Sequence, residues 1–83
     1  MHETHPAIIL RLKRAEGHLR SVVKMIEGES PCIELAQQLH AVEAAIAKAK
    51  KELIQDHIEH CLDGSDTESR KTLSELKQLA KYL

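Results

Sequence analysis

CIELAQQLHAVEAAIAKAKKELIQDHIEHC, residues 32–61, contains no glycine or proline and has both cysteines of the chain at its two ends. Leu35, Leu39, Val42, Ile46, Ala49 and Leu53 recur in alternating steps of four and three, the mark of one long amphipathic helix. The same stripe continues into His57 and Cys61. Residues four apart stack on one helix face, so His57 and Cys61 are neighbours. Cys32 is not. Twenty-five residues of continuous helix, at about 1.5 Å each, put it roughly 37 Å from His57. A second copy lying antiparallel removes that separation. With a two-fold axis near Ala45, Cys32 of one chain meets His57 and Cys61 of the other, and does so twice. The alanine-rich middle, AVEAAIAKAK (41–50), suits close approach of two helices.

Outside this helix the chain is short. MHETHP (1–6) reads as a flexible polar tail with two histidines, and Pro6 suits the first turn of a helix. Ile8, Leu12, Ala15, Leu19, Val22 and Ile26 repeat the four–three spacing and predict a first helix that stops at Gly28. Gly17 interrupts it at a cost of about 1 kcal/mol relative to alanine, which fits close approach of another helix or of DNA. Ser30 is placed to cap the long helix, with Pro31 at its first position. DGSD (63–66) reads as a turn, and Leu73, Leu76, Leu79 or Ala80, and Leu83 mark one side of a third helix. The expected architecture is all-α, a single domain over 1–83 made of three helices.

With 83 residues and Tyr82 as its one aromatic, the chain must build an aliphatic core, and small domains often need a metal or a partner for support. No apolar run is long enough to span a bilayer or resembles a signal peptide, so a cytoplasmic protein with reduced thiols is expected. Cysteines at opposite ends of one helix do not pair within a chain. The net charge of −1 hides a polarity. Residues 11–24 hold Arg11, Lys13, Arg14, Arg20 and Lys24 against Glu16, while residues 52–69 hold Glu52, Asp56, Glu59, Asp63, Asp66 and Glu68 and no cation.

Thiolate and imidazole are ligands for soft or borderline ions. Cys32, His57 and Cys61 supply three donors, enough for trigonal Cu(I). Ni(II) and Zn(II) want four. The fourth falls to His2, His5 or the terminal amine, with His60 a second choice because it points about 100° away from Cys61. The plainer reading keeps the cysteines as small apolar residues and the acidic run as a solvated face. Arg11, Lys13, Arg14 and Lys48, with Lys50 and Lys51, would form phosphate-binding patches if an oligomer repeats them. No helix-turn-helix or zinc-finger spacing is present, so recognition would rest largely on phosphates and DNA shape. Nothing marks an enzyme: there is no nucleophile–base pair with a supporting third group and no glycine-rich phosphate loop.

RLKRAEGHLRSV (11–22), Cys32, AQQLHAVEAAI (36–46) and DHIEHC (56–61) together resemble the CsoR/RcnR family of bacterial metal-sensing repressors. The resemblance implies a three-helix protomer, an antiparallel four-helix dimer core and a dimer of dimers. It implies operator DNA binding by the metal-free form and release by metal, which derepresses an efflux gene. Carried over by position, Cys32, His57 and Cys61 are the ligands, His2 or His5 completes a nickel or cobalt site, Arg11, Arg14 and Lys48 face DNA, and Glu75 supports the site from behind. The copper branch usually has tyrosine before the first cysteine, where this chain has Pro31. That and the histidines of the tail favour Ni(II) or Co(II) over Cu(I). A thiol, persulfide or formaldehyde sensor using Cys32 is a further alternative on the same scaffold.

Overall fold

The four–three spacing becomes two long helices lying side by side. The computed structural model describes residues 5–62 and 69–83, and its element order is α1 (Pro6–Glu27), α2 (Cys32–Leu62) and α3 (Ser69–Ala80). No strand occurs among the described residues. The expected turn over 63–66 lies outside them, as do residues 1–4 of the expected tail. Pro6 is already the first residue of α1 and His5 its cap.

Contacts between α1 and α2 run in opposite directions along the two helices, with His5 against Asp56, Arg11 against Glu52 and His18 against Gln38. The pair is therefore antiparallel, turned by residues 28–31. Gly28 caps α1 there, the stop expected from the sequence. Gly28 has an ordinary φ of −86°, and it is Glu29 that takes the left-handed conformation, at φ 59°. Glu29 N–H donates to the Ile26 carbonyl and Ser30 N–H to the Met25 carbonyl, each at 3.0 Å. This is the paired closure of a Schellman motif, whose left-handed position usually goes to glycine. α2 starts one residue later than expected. The Pro31 carbonyl accepts from Leu35 N–H at 3.1 Å, so Pro31 is the cap and Cys32 the first helical residue.

The apolar seam read from the sequence divides in two. Ala15 and Val22 of α1 and Val42 and Ala49 of α2 are buried between the two helices, while Ile54, off that row, is buried towards Leu79 of α3. The alternate members, Leu12, Leu19 and Ile26 on α1 and Leu39, Ile46 and Leu53 on α2, stay 42–53% exposed. The two rows lie about 50° apart around each helix, so one partner helix cannot cover both. Overall dimensions agree. The Cα atoms extend 55 × 24 × 13 Å, a slab about one helix thick, with a radius of gyration of 17.3 Å. A compact domain of this length would have about 12 Å. Stable domains are normally two packed layers, and this chain supplies one. α3 returns towards the C-terminal half of α2 with Thr72, Leu76 and Leu79 half-buried. Leu73 and Leu83, expected on the same side, are 55% and 64% exposed.

The closing turn gives a stability test. A non-glycine residue in the left-handed region costs about 1–2 kcal/mol, part of which glycine returns as unfolded-chain entropy. Glu29→Gly is expected to raise the thermal midpoint, by a net gain of about 0.5 kcal/mol. Gly28→Ala should leave it unchanged or slightly higher, since a Cβ there meets the Lys24 carbonyl oxygen at an ordinary 3.4 Å. Calorimetry of both variants checks the pair.

Candidate metal centre

Antiparallel packing sets the start of α1 beside the second half of α2, and α3 closes over the same end. His5, His57 and Glu75 come together there, lining a cleft of about 350 Å³ with Leu53, Ile54 and Leu79. His57 Nε2–H donates to Glu75 Oε1 at 2.7 Å. A carboxylate behind an imidazole fixes its tautomer and orientation, an arrangement typical of metal-binding histidines. With Nε2 protonated, the neutral ring carries its lone pair on Nδ1. The donor chemistry and this supporting carboxylate fit a metal ion.

Cys32 is brought to none of these residues. It is exposed in the first turn of α2, at the other end of a 31-residue helix. Cys61 is in the last turn, and its side chain lies outside the described residues, as does His2. Among the described residues no three of His, Cys, Asp and Glu within one chain are grouped to hold a metal. His60 folds back along its own helix, its Nδ1–H donating to the Asp56 carbonyl at 3.2 Å.

The acidic run does more than face solvent. Asp56 Oδ2 lies 3.1 Å from His5 Nδ1, and Glu52 Oε1 accepts from Arg11 Nε at 3.1 Å. Glu52 and Asp56 are one turn apart on α2 and hold the first two turns of α1. Sequence reasoning missed both. The signal was available in the opposite polarity of two adjacent helices, since an antiparallel hairpin must set residues 5–14 against 52–60. Of the basic residues, Arg14 and Lys48 are exposed, and Arg11 is half-buried in its ion pair. Arg11, Arg14 and His18 line one cleft with Ala45. Lys13 is exposed about 200° around α1 from Arg11, so it does not share that face. Lys48 and Lys51 flank Glu52 on α2. His18 donates from Nε2 to Gln38 Oε1 at 2.6 Å.

A three-helix protomer carrying a carboxylate-backed histidine, with a cysteine at each end of one helix, is the build of a helical metal sensor. Residues 4–82 match the family described as metal-sensitive transcriptional repressor, and the chain belongs to that family, one of repressors and not of enzymes. It is 30% identical over 78 residues to the copper-sensing transcriptional repressor CsoR of Mycobacterium ulcerans (strain Agy99), covering 92% of this chain and 67% of that protein. To the copper-sensing repressor CsoR of Bacillus subtilis (strain 168) it is 33% identical over 73 residues, 86% of this chain and 72% of the other. The chain thus spans about two thirds of the length of the mycobacterial relatives. A solved structure, the nickel-responsive transcriptional regulator InrS, superposes with a TM-score of 0.83 at 30% identity, covering 100% of this chain and 97% of that one. No helix among the described residues is long and apolar enough to cross a membrane.

The bond between His57 and Glu75 also ties α3 to α2. Both side chains are partly exposed, so its loss is worth at most about 1 kcal/mol. Glu75→Ala is expected to speed amide hydrogen exchange through Ser69–Ala80 several-fold and leave α1 unchanged. Equal rates in α3 would show that Leu76 and Leu79 hold it unaided.

Proposed function

We propose that this chain represses transcription by binding operator DNA in its metal-free form, and that Ni(II) or Co(II) releases it and derepresses an efflux gene. The ion would be held by His5, His57 and Cys61 of one copy and Cys32 of a second. The observation that carries this reading is the placement of His5 beside His57 in one cleft. It brings a second nitrogen donor to the pair on α2 and favours His5 over His2. A four-coordinate site of nitrogen and sulfur suits Ni(II). When bound, the ion supplies an attraction that joins donors from two chains.

An antiparallel second copy is the occupant that fits the open face. Half-exposed leucine and isoleucine side chains have about 1 kcal/mol each left to gain on burial. Leu12, Leu19, Ile26, Leu39, Ile46 and Leu53 make six per chain. Twelve in a dimer give on the order of 10 kcal/mol, enough to offset an association cost of that size. The same pairing takes Cys32 to the opposite end of its neighbour's α2. A dimer of dimers would then repeat Arg11, Arg14 and Lys48 along a DNA duplex. Metal must favour a conformation that binds DNA less well, and DNA must weaken metal binding by the same factor.

A second reading, a Cu(I)-responsive repressor, is supported by the copper-sensing relatives. It needs only Cys32, His57 and Cys61, which separates the two. Anaerobic chelator competition on the reduced protein is expected to show Ni(II) affinity at least about tenfold lower in His5→Ala, with Cu(I) affinity unchanged. Cys32→Ala should lose metal-dependent release of DNA. If that variant keeps wild-type metal affinity and release, the bridging site is wrong. Full inducer response in His57→Ala would instead favour a thiol or formaldehyde sensor acting through Cys32.

Glu52 offers a test of the DNA surface alone. It sits between Arg11 and Lys48 and neutralises part of the patch. Glu52→Gln is expected to tighten operator binding by the metal-free protein and to steepen its salt dependence by about one counterion per patch. Gel-shift titrations at several salt concentrations measure both quantities.

A further inference from the structure

We propose that Asp56 is the positioning residue for His5: it holds the imidazole against α2 with Nδ1 turned to the carboxylate, so that Nε2 is the nitrogen the chain presents to a metal. The inference rests on His5 as a ligand, as read above, and assigns the residue that selects which ring nitrogen acts.

His5 Nδ1 and Asp56 Oδ2 are 3.1 Å apart. Two lone pairs facing each other at that distance repel, so Nδ1 carries a proton. A neutral ring protonated on Nδ1 has its lone pair on Nε2. The side chains are 22% and 38% exposed, so solvent screens the contact less than it would an open surface pair. His57 is held the other way round, with its Nε2 on Glu75. The two histidines therefore use opposite nitrogens, each set by its own carboxylate.

The backbone of His5 supplies an independent observation. It caps α1 in the left-handed region, φ 53° and ψ 60°, a conformation that is unfavourable for a residue with a Cβ. Its side chain makes no capping hydrogen bond to the helix it begins. An N-cap normally spends its side chain on the open amides of the first turn. Here the position accepts strain and forgoes the cap, and its imidazole goes to α2 instead. Such strain persists only where the surroundings over-determine it. Pro6, whose φ is preset at the first helical position, and Asp56 both constrain it. Asp56 directly precedes His57, so one turn of α2 both carries a ligand and places another. The carboxylate also lies 3.9 Å from His60 Nδ1, but that nitrogen is committed to the Asp56 carbonyl. A residue acting through His5 discriminates between metals, because only an ion that takes the fourth donor feels it.

The test uses the full chain. Long-range proton–nitrogen spectra of the metal-free protein should show His5 protonated on Nδ1. That signature should survive in Asp56→Asn, whose carbonyl still accepts, and give way in Asp56→Ala to the Nε2-protonated form that histidine prefers in water. Ni(II) affinity, from chelator competition, should fall about 10–100-fold in Asp56→Ala, with Cu(I) affinity within twofold of wild type. In a His5→Ala background the same substitution should change Ni(II) affinity less than twofold. An Nε2-protonated His5 in the wild type overturns the proposal. So does an equal Ni(II) loss with or without His5, which would make Asp56 a ligand or a bulk charge. If His5→Ala weakens Ni(II) binding and Asp56→Ala does not, the positioning role alone fails. If His5→Ala has no effect on Ni(II), the ligand reading fails first and takes this proposal with it.

Discussion

Antiparallel contact between α1 and α2, along Ala15 and Val22 on one side and Val42 and Ala49 on the other, is what the rest of the structure depends on. It is a narrow seam of small side chains. It gains little from volume and much from register, because alanine and valine let the helix axes approach and hold one alignment. That alignment delivers the first turn of α1 to the last turns of α2. Without it His5 would sit on a free end and Arg11 would be an ordinary surface cation.

The same edge carries residues of both proposed sites. Asp56 faces His5, and one turn earlier Glu52 faces Arg11. The residues assigned to metal and those assigned to DNA thus grip neighbouring turns of the same two helices. A shift of the first turn of α1 would be felt at Arg11 after about 9 Å of rigid helix. Coupling between two ligands needs a contiguous element with two arrangements. The N-terminal half of α1, held to α2 by these two charged contacts and by the buried Ala15, would be that element.

How far the residues spoke for themselves varies along the chain. Spacing alone located all three helices and the stripe on the first two, because amphipathic periodicity reports on burial, but on α3 it named Leu73 where Thr72 is the half-buried residue. It did not separate Ala15 and Val22, which are buried, from Leu12 and Leu19, which are not. Rows about 50° apart belong to one hydrophobic arc, and only a second helix at a known angle divides them. The larger residues of the two rows face outwards, the reverse of the usual expectation for a lone chain. Gly28 was read as the stop of α1 and caps it, but which residue takes the left-handed position, Glu29, is fixed by the hydrogen-bonding frame of the last turn.

The sequence by itself determined the helical class, the family and the separation of Cys32 from His57 and Cys61. The class and the separation follow from local spacing along continuous helix, where distance is residue number times rise, and the family from the resemblance carried by the motifs of residues 11–22, 36–46 and 56–61. Tertiary structure decided which residues meet across helices: His5 with Asp56, Arg11 with Glu52, and His57 with Glu75. Those pairs are 51, 41 and 18 residues apart in the chain. Their meeting depends on the register of an antiparallel seam and on the return of α3, and neither quantity is written in any single stretch of residues.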